Sequence, residues 1–168
     1  MLSDTFIREA RKTDLETILE IYNQGIQDRI ATLETEAKDL SYMSNWFKQH
    51  QGRYSVLAAE KGGIVIGWAS LNPYSSRCSY DGVADLSVYI AREFRGKGAG
   101  EKLLTALELK ARENQFHKLV LFTFPFNRLG QSLYMKMGFR EVGIFRNQGL
   151  LDGEFVDVMA MEKLLSCG

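Results

Sequence analysis

The stretch VADLSVYIAREFRGKGAGEKLLTALELKARENQ, residues 83–115, decides the fold. Leu86, Val88 and Ile90 alternate with Ser87, Tyr89 and Ala91, the two-residue period of a strand. Arg95, Gly96, Lys97, Gly98, Ala99 and Gly100 follow, and their glycines let the main chain approach a ligand closely. From Ala99 onward Leu103, Leu107 and Ala111 recur every four residues with Leu104 beside them, which predicts a helix with one buried face. A helix opened by glycines leaves its first N–H groups unpaired at the positive end of the macrodipole. That is an anion cradle, and phosphate is its usual guest.

Spacing separates the kinds of phosphate loop. No G-x-x-x-x-G-K-[ST] is present, and G-x-G-x-x-G fails because Glu101 and Leu103 stand where its third glycine belongs. R-x-x-G-x-G does fit, as Arg95, Gly98 and Gly100. This resembles the pyrophosphate loop of the GNAT-type N-acetyltransferases, which hold acetyl-coenzyme A. A helix that merely begins at glycines is the plainer alternative, so the rest of the chain has to decide.

The 168 residues suit a single domain, 1–168, with a real core. Lysine plus arginine equals aspartate plus glutamate at 21 each, so no global field favours nucleic acid or an anionic membrane. Arg92, Arg95, Lys97 and Lys102 nevertheless cluster at the glycine turn, a local positive pocket suited to a small polyanion. Cys78 and Cys167 have neither metal nor redox spacing; their pairing stays open, and a reduced cytoplasmic setting is simpler. No secretory signal or membrane-length apolar run is read, so the expectation is a soluble, metal-free cytoplasmic protein.

In chain order, 6–10 reads as a first strand. Thr13 with Glu16 reads as a capping box, opening a helix whose face carries Leu15, Ile18, Leu19, Tyr22, Ile26 and Ile30. Asn23, Gln24 and Gln27 lie off that stripe and read as solvated. After a loop over 31–38, a second helix spans 40–50, with Met43, Trp46 and Phe47 apolar and His50 at its end. Strands over 54–60 and 64–71 are joined by Lys61, Gly62 and Gly63, and 72–81 is a polar loop. Beyond the central helix come a strand over 118–124, parallel to the one at 83–90, and a short helix with Leu129, Leu133 and Met137, stopped by Gly138. Strands over 139–145 and 155–161 close the chain around Leu151, Asp152 and Gly153. The order β-α-α-β-β-β-α-β-α-β-β gives an α/β domain, a mixed sheet with helices on its faces.

A GNAT domain has this succession, and further stretches match. DGVADLSVYI, 81–90, resembles the family's fourth strand, whose exposed backbone binds the pantetheine arm and which a bulge splays from the fifth strand. NRLGQSLYMKMGF, 127–139, resembles the N-x-x-x-x-x-x-Y-x-K-x-G-F stretch of the family. Arg77, Tyr80, Asp81 and then Asp85 resemble the R-x-x-Y-D and acidic residue of the phosphinothricin acetyltransferase branch, and IYN at 21–23 is similar to that branch too. The resemblance implies a mixed, mostly antiparallel twisted sheet splayed between its fourth and fifth strands.

Acetyl transfer to an amine needs a neutral amine, a stabilised oxyanion and a protonated leaving thiolate. No Ser/His/Asp or Cys/His arrangement is present, and Cys78 has no histidine near it in sequence, which suits direct attack. The resemblance puts Asp85 where the branch usually has glutamate; one methylene shorter, it is a base acting through a water, or else only a contact to the substrate. Tyr134 falls where the wider family has its general acid, with a core-facing tyrosine as the alternative. Main-chain groups of Val88, Tyr89 and Ile90 and turn amides from Arg95 to Gly100 would hold the coenzyme. Asn127 and Ser132 would join them, unless they are a helix cap and a solvent hydroxyl. The acceptor implied is the amine of a small amino acid or analogue such as phosphinothricin or methionine sulfoximine, its carboxylate met by Arg77 and its pocket walled by Tyr80. Thr32 and Trp46 could reach that pocket from the N-terminal helices. The resemblance also implies a homodimer. Two rivals stand beside this reading: an acetyltransferase of protein lysines or N-termini, and an acyl-coenzyme A sensor without turnover.

Overall fold

The computed structural model describes residues 4–29 and 32–165. In chain order its elements are β1 (Phe6–Glu9), α1 (Leu15–Asp28), α2 (Leu40–Gln49), β2 (Val56–Lys61), β3 (Ile64–Pro73) and β4 (Val83–Ile90). They continue with α3 (Ala99–Glu113), β5 (Lys118–Thr123), α4 (Arg128–Lys136), β6 (Arg140–Leu151) and β7 (Glu154–Leu164). This is the order the sequence predicts. The seven strands form one sheet, β1-β2-β3-β4-β5-β7-β6, in which β4 and β5 run parallel and the other neighbours antiparallel.

Each face of the sheet carries helix. On one side α3 lays its stripe down, with Leu103, Leu107 and Ala111 all at 0% exposure against Ile66, Leu71, Leu86 and Leu121. On the other, Leu15, Ile18 and Ile21 of α1 and Met43 of α2 pack on Val56, Ala58, Val65 and Trp68. Because both faces are covered, the inner strands are apolar in runs: residues 56–59 of β2 and 65–71 of β3 are buried without a break. No helix among the described residues is long and apolar enough to cross a membrane.

Some local readings are corrected. Thr13 and Glu16 do not cap α1; a 3-10 turn at Lys12–Asp14 precedes it, and the Asp14 carboxylate takes the Arg11 N–H at 2.7 Å. Asp14 also receives both Arg8 terminal nitrogens, at 2.7 and 3.0 Å, and this pair holds its carboxyl below the usual range. A bidentate charged pair is stronger than a neutral hydroxyl cap, so it sets how the helix begins. Asn23 and Gln24 are not simply solvated: Asn23 clamps the Lys38 main chain at 2.8 and 3.0 Å, and Gln24 accepts the Arg92 N–H at 2.7 Å. Ile30, Ala31 and Cys167 lie outside the described residues; Cys78 is exposed. The last hairpin is longer than predicted, and pairing shifts between Phe145 and Gly149 break the two-residue period that sequence reading relies on.

Leu107 joins α3 to the sheet with no exposed surface. Leu107→Ala is expected to lower the unfolding free energy in urea titrations by about 2–5 kcal/mol. Ile64→Ala, at a 63%-exposed side chain, should stay within about 0.5 kcal/mol.

Candidate active site

Pairing between β4 and β5 covers only Val83, Ala84 and Asp85, opposite Lys118, Leu119 and Val120. Beyond Asp85 the strands part. The parting needs no bulge on the β3 side, where β4 keeps an unbroken register from Gly67↔Ile90 to Pro73↔Ala84. Between the parted strands lies a cavity of about 130 Å³, lined by Asp85, Val88, Tyr89, Thr123, Asn127 and Tyr134 among others.

A larger cavity of about 400 Å³ adjoins it, lined by Val88, Tyr89, Ile90, Arg95, Gly96, Gly98, Gly100, Asn127, Ser132 and Tyr134. Ten residues expected at the coenzyme or catalytic positions therefore meet around one space. Lys97 and Ala99 do not line it: Lys97 sits over the Phe94 ring at 5.8 Å and Ala99 is buried under the turn. Leu133, also on this wall, was missed as a site residue because it reads as core in sequence.

Two glycines of the turn are left-handed, Gly96 at φ 74° and Gly98 at φ 98°, a conformation that strains residues with a Cβ. Gly98 is the N-cap of α3, and the Lys102 N–H reaches back to its carbonyl at 3.3 Å, so the amides before it have no intrahelical partner. At Gly100 a Cβ would come within 2.9 Å of Leu133, so glycine keeps the turn and α4 this close. The expected side-chain cations are, however, largely tied into contacts within the protein. Asp28 receives Arg92 at 2.9 and 3.0 Å and Arg95 at 2.6 Å, and these arginines hold its carboxyl low. Arg95 also donates to the Ile90 carbonyl at 3.2 Å, and Lys102 to the Thr5 carbonyl at 2.9 Å. These cations brace the turn, and the main-chain N–H groups at the start of α3 add to its positive potential.

Asp85 is half-buried, and desolvation pushes its carboxyl up to about 6 against the pull of hydrogen bonds from Asn72 and the Leu86 main chain. Tyr134 stands on α4 with its ring edge against Phe139, at 6.1 Å between centroids. Burial pushes its phenol up to about 12, and the charge of Asp85 adds to the rise. Tyr89 stacks on Trp68 at 5.0 Å and meets the Tyr22 edge at 5.1 Å; burial drives its phenol far above the ordinary value. Asn127 caps α4 by accepting the Gly130 N–H at 3.1 Å, and it also lines both cavities. Ser132 is exposed at the rim.

On the other side of Asp85 an open hollow of about 390 Å³ is walled by Pro73, Tyr74, Ser75, Tyr80 and Phe122. Tyr80 is one of these walls, with its ring 6.2 Å from that of Tyr74. Arg77 is exposed on the neighbouring loop and does not line the hollow; its main-chain N–H donates to the Ser75 hydroxyl at 3.1 Å. Trp46 borders a separate niche of about 60 Å³ with Tyr22, Trp68, Ser87 and Tyr89. The Thr32 hydroxyl accepts the Glu34 N–H at 3.2 Å. Asn72, bonded to Asp85, and Ser87 and His50, bonded to Asn72, were missed as site residues, His50 having been read only as the end of α2, since nothing local in sequence marks residues that meet across strands.

Residues 15–139 match the model of the acetyltransferase (GNAT) family. The chain is 31% identical over 158 residues to the L-methionine sulfoximine/L-methionine sulfone acetyltransferase of Pseudomonas aeruginosa, covering 93% of this chain and 92% of that one. Among solved structures, the ribosomal-protein-alanine N-acetyltransferase from Brucella melitensis superposes with a TM-score of 0.92 at 32% identity, covering 95% of this chain and 99% of that one. A GNAT superfamily phosphinothricin acetyltransferase from Sinorhizobium meliloti, in complex with AcCoA, gives 0.92 at 27% identity over 98% and 90% of the two chains. With the parted strands, the glycine turn and these likenesses together, the chain belongs to the GNAT family of acetyltransferases.

Proposed function

We propose that this protein is an acetyl-coenzyme A-dependent N-acetyltransferase acting on the primary amine of a small amino acid or analogue, of the kind represented by methionine sulfoximine and phosphinothricin. The observation that carries the reading is the meeting of three things at one cavity: the parted end of β4, the glycine turn and Tyr134. The turn suits the coenzyme's pyrophosphate, because its left-handed glycines bring unpartnered amides to the cavity wall, and a Cβ at Gly100 would press on the end of the Leu133 side chain. Bound there, the coenzyme would supply an acetyl thioester.

The chain's own residues handle the protons. Asp85, on the strand that divides the coenzyme side from the hollow, takes the proton the amine must lose. Its raised affinity for a proton suits a base that works near neutrality. Tyr134, facing the same parted strands, gives a proton to the departing sulfur. Arg77 is assigned to the acceptor's carboxylate: it stands on the loop beside the hollow, and a guanidinium binds a carboxylate through two parallel hydrogen bonds. The Brucella relative supports an alternative, acetylation of a protein N-terminus. The aromatic walls of the hollow favour the small acceptor. We further propose a homodimer in the cytoplasm, the pairing supported by the exposed apolar side chains of Val142, Ile144, Phe145, Leu150 and Phe155 on the β6–β7 hairpin.

Thiol release should appear with methionine sulfoximine or phosphinothricin and exceed that with an alanine-terminated peptide; the reverse order would select the protein N-terminal reading, and no release with either would reject both. For the base, kcat/KM for the amine should fall as pH drops through about 6, because Asp85 must be a carboxylate to accept a proton. Asp85→Asn should abolish that acid limb. For the acid, Tyr134→Phe should lower kcat by roughly a hundredfold, with acetyl-coenzyme A affinity by calorimetry changed less than about twofold.

A further inference from the structure

His50 lies behind Asp85 with both ring nitrogens engaged. Its Nδ1 is 2.8 Å from the Trp46 carbonyl and its Nε2 is 2.7 Å from Asn72 Oδ1. Asn72 Oδ1 also accepts the Ser70 hydroxyl at 2.9 Å, while Nδ2 donates to Ser87 Oγ at 3.0 Å and Asp85 Oδ2 at 3.3 Å. The sheet builds this arrangement: Asn72 sits opposite Asp85, and Ser70 opposite Ser87, in the register of β3 and β4. Residues two apart on a strand share a face, so all four side chains project toward the side where α2 ends in His50.

The hydrogens on this network are constrained. A carbonyl has none, so His50 Nδ1 must carry one toward Trp46. If Nε2 also carries one, the ring is an imidazolium that donates to Asn72 Oδ1, and the amide then turns its NH₂ toward Asp85, which suits a carboxylate. If Nε2 is bare, the amide is better turned over, donating to the ring and facing Asp85 with its oxygen, which repels a carboxylate and suits the acid. The hydrogen on His50 therefore decides which end of the amide Asp85 meets. A histidine serving only to finish α2 would need Nδ1 on Trp46 and nothing more; the Nε2 contact to Asn72 goes beyond that.

We propose that His50, as an imidazolium, is a positioning residue for the base, donating to Asn72 so that the amide holds its NH₂ against the Asp85 carboxylate and leaves the other carboxylate oxygen to the amine. The proposal rests on Asp85 being the base. It also gives a reason for Asn72 at the end of β3, and for a carboxylate short enough to stay within its reach. The ionisable groups facing Asp85 from other directions are the phenols of Tyr134 on α4, Tyr89 on its own strand and Tyr80 on the loop. No lysine or arginine pairs with it among the described residues. The ring of His50 rests on Trp46 with 4.3 Å between centroids. The Asn72 bond is also the side-chain contact that opposes the rise of Asp85 on burial.

The test is the pH profile of kcat/KM for the amine, with acetyl-coenzyme A saturating. His50→Phe keeps a flat ring over Trp46 but carries no N–H, so it frees the Asn72 amide. The acid limb should move to higher pH by roughly half a unit to one unit, since the carboxylate loses a donor worth about that much. The KM for acetyl-coenzyme A should not change. His50→Gln, which keeps a side-chain N–H, should bring the limb back toward the wild-type position. Asn72→Ala should shift it as His50→Phe does, and the double variant no further, because both act through one contact. A role in stability alone would lower the rate equally at every pH, so an unmoved limb in His50→Phe, or additive shifts in the double variant, would overturn the assignment. If Asp85→Asn keeps the acid limb, the base reading itself falls and takes this proposal with it. If Asp85→Asn loses the limb while His50→Phe leaves it unmoved, only the role of His50 is rejected.

Discussion

Three paired residues join β4 to β5, and at Asp85 the pairing stops. A parallel pair carries its slanted hydrogen bonds evenly along both strands, so ending it early leaves backbone N–H and C=O groups of 86–90 facing a gap instead of a neighbour. Everything at the site follows from that gap. Strand β4 stays straight because β3 holds it in register along seven residue pairs, and β5 is held by β7 on its far side. The sheet remains continuous at one end and opens at the other. Asp85 stands at the fork, with cavities on both sides.

The turn after β4 shows how charge is divided between side chains and main chain. Asp28 on α1 binds Arg92 and Arg95 together, tying the first helix to the loop before α3. Without a carboxylate between them, two guanidiniums this close would repel each other; with one, they become a fixed brace. Such a brace suits a turn whose working groups are amides, since an amide dipole stabilises an anion only if it is already aimed when the anion arrives. The arginine of R-x-x-G-x-G therefore contributes through the shape of the loop: its guanidinium lies on Asp28 and the Ile90 carbonyl.

The sequence was readable where one residue type recurs at one period. The strand from Leu86 to Ile90 and the stripe Leu103, Leu107, Ala111 announce themselves, and the glycines between them could only be a turn. Asp85 and Tyr134 became visible only through likeness to a family, since a lone aspartate in a strand and a lone tyrosine near leucines carry no period of their own. Partners brought together by pairing were out of reach. His50, Asn72 and Asp85 are 22 and 13 residues apart in turn, and it takes the β3–β4 register and the packing of α2 to make them neighbours. The beginning of α1 failed for a related reason: Thr13 and Glu16 satisfy a local rule, but Arg8 on β1 draws Asp14 into a stronger contact.

The electrostatics of the parted strands link the two proposed proton transfers. Burial raises both Asp85 and Tyr134, and the charge on Asp85 raises Tyr134 further, because a second negative charge nearby is opposed. With Asp85 ionised the phenol is therefore a poor acid, which protects it from losing its proton early. In the proposed mechanism, an Asp85 that had taken the amine's proton would carry no charge, and that opposition to ionisation of Tyr134 would lift. On the proposed assignment, their mutual field would favour loss of the amine's proton before the sulfur gains one. For the field to work this way water must be kept from between them, which the buried surroundings of Tyr134 and the half-buried position of Asp85 both favour. The same small space that admits the reacting atoms is what makes the two side chains sense each other.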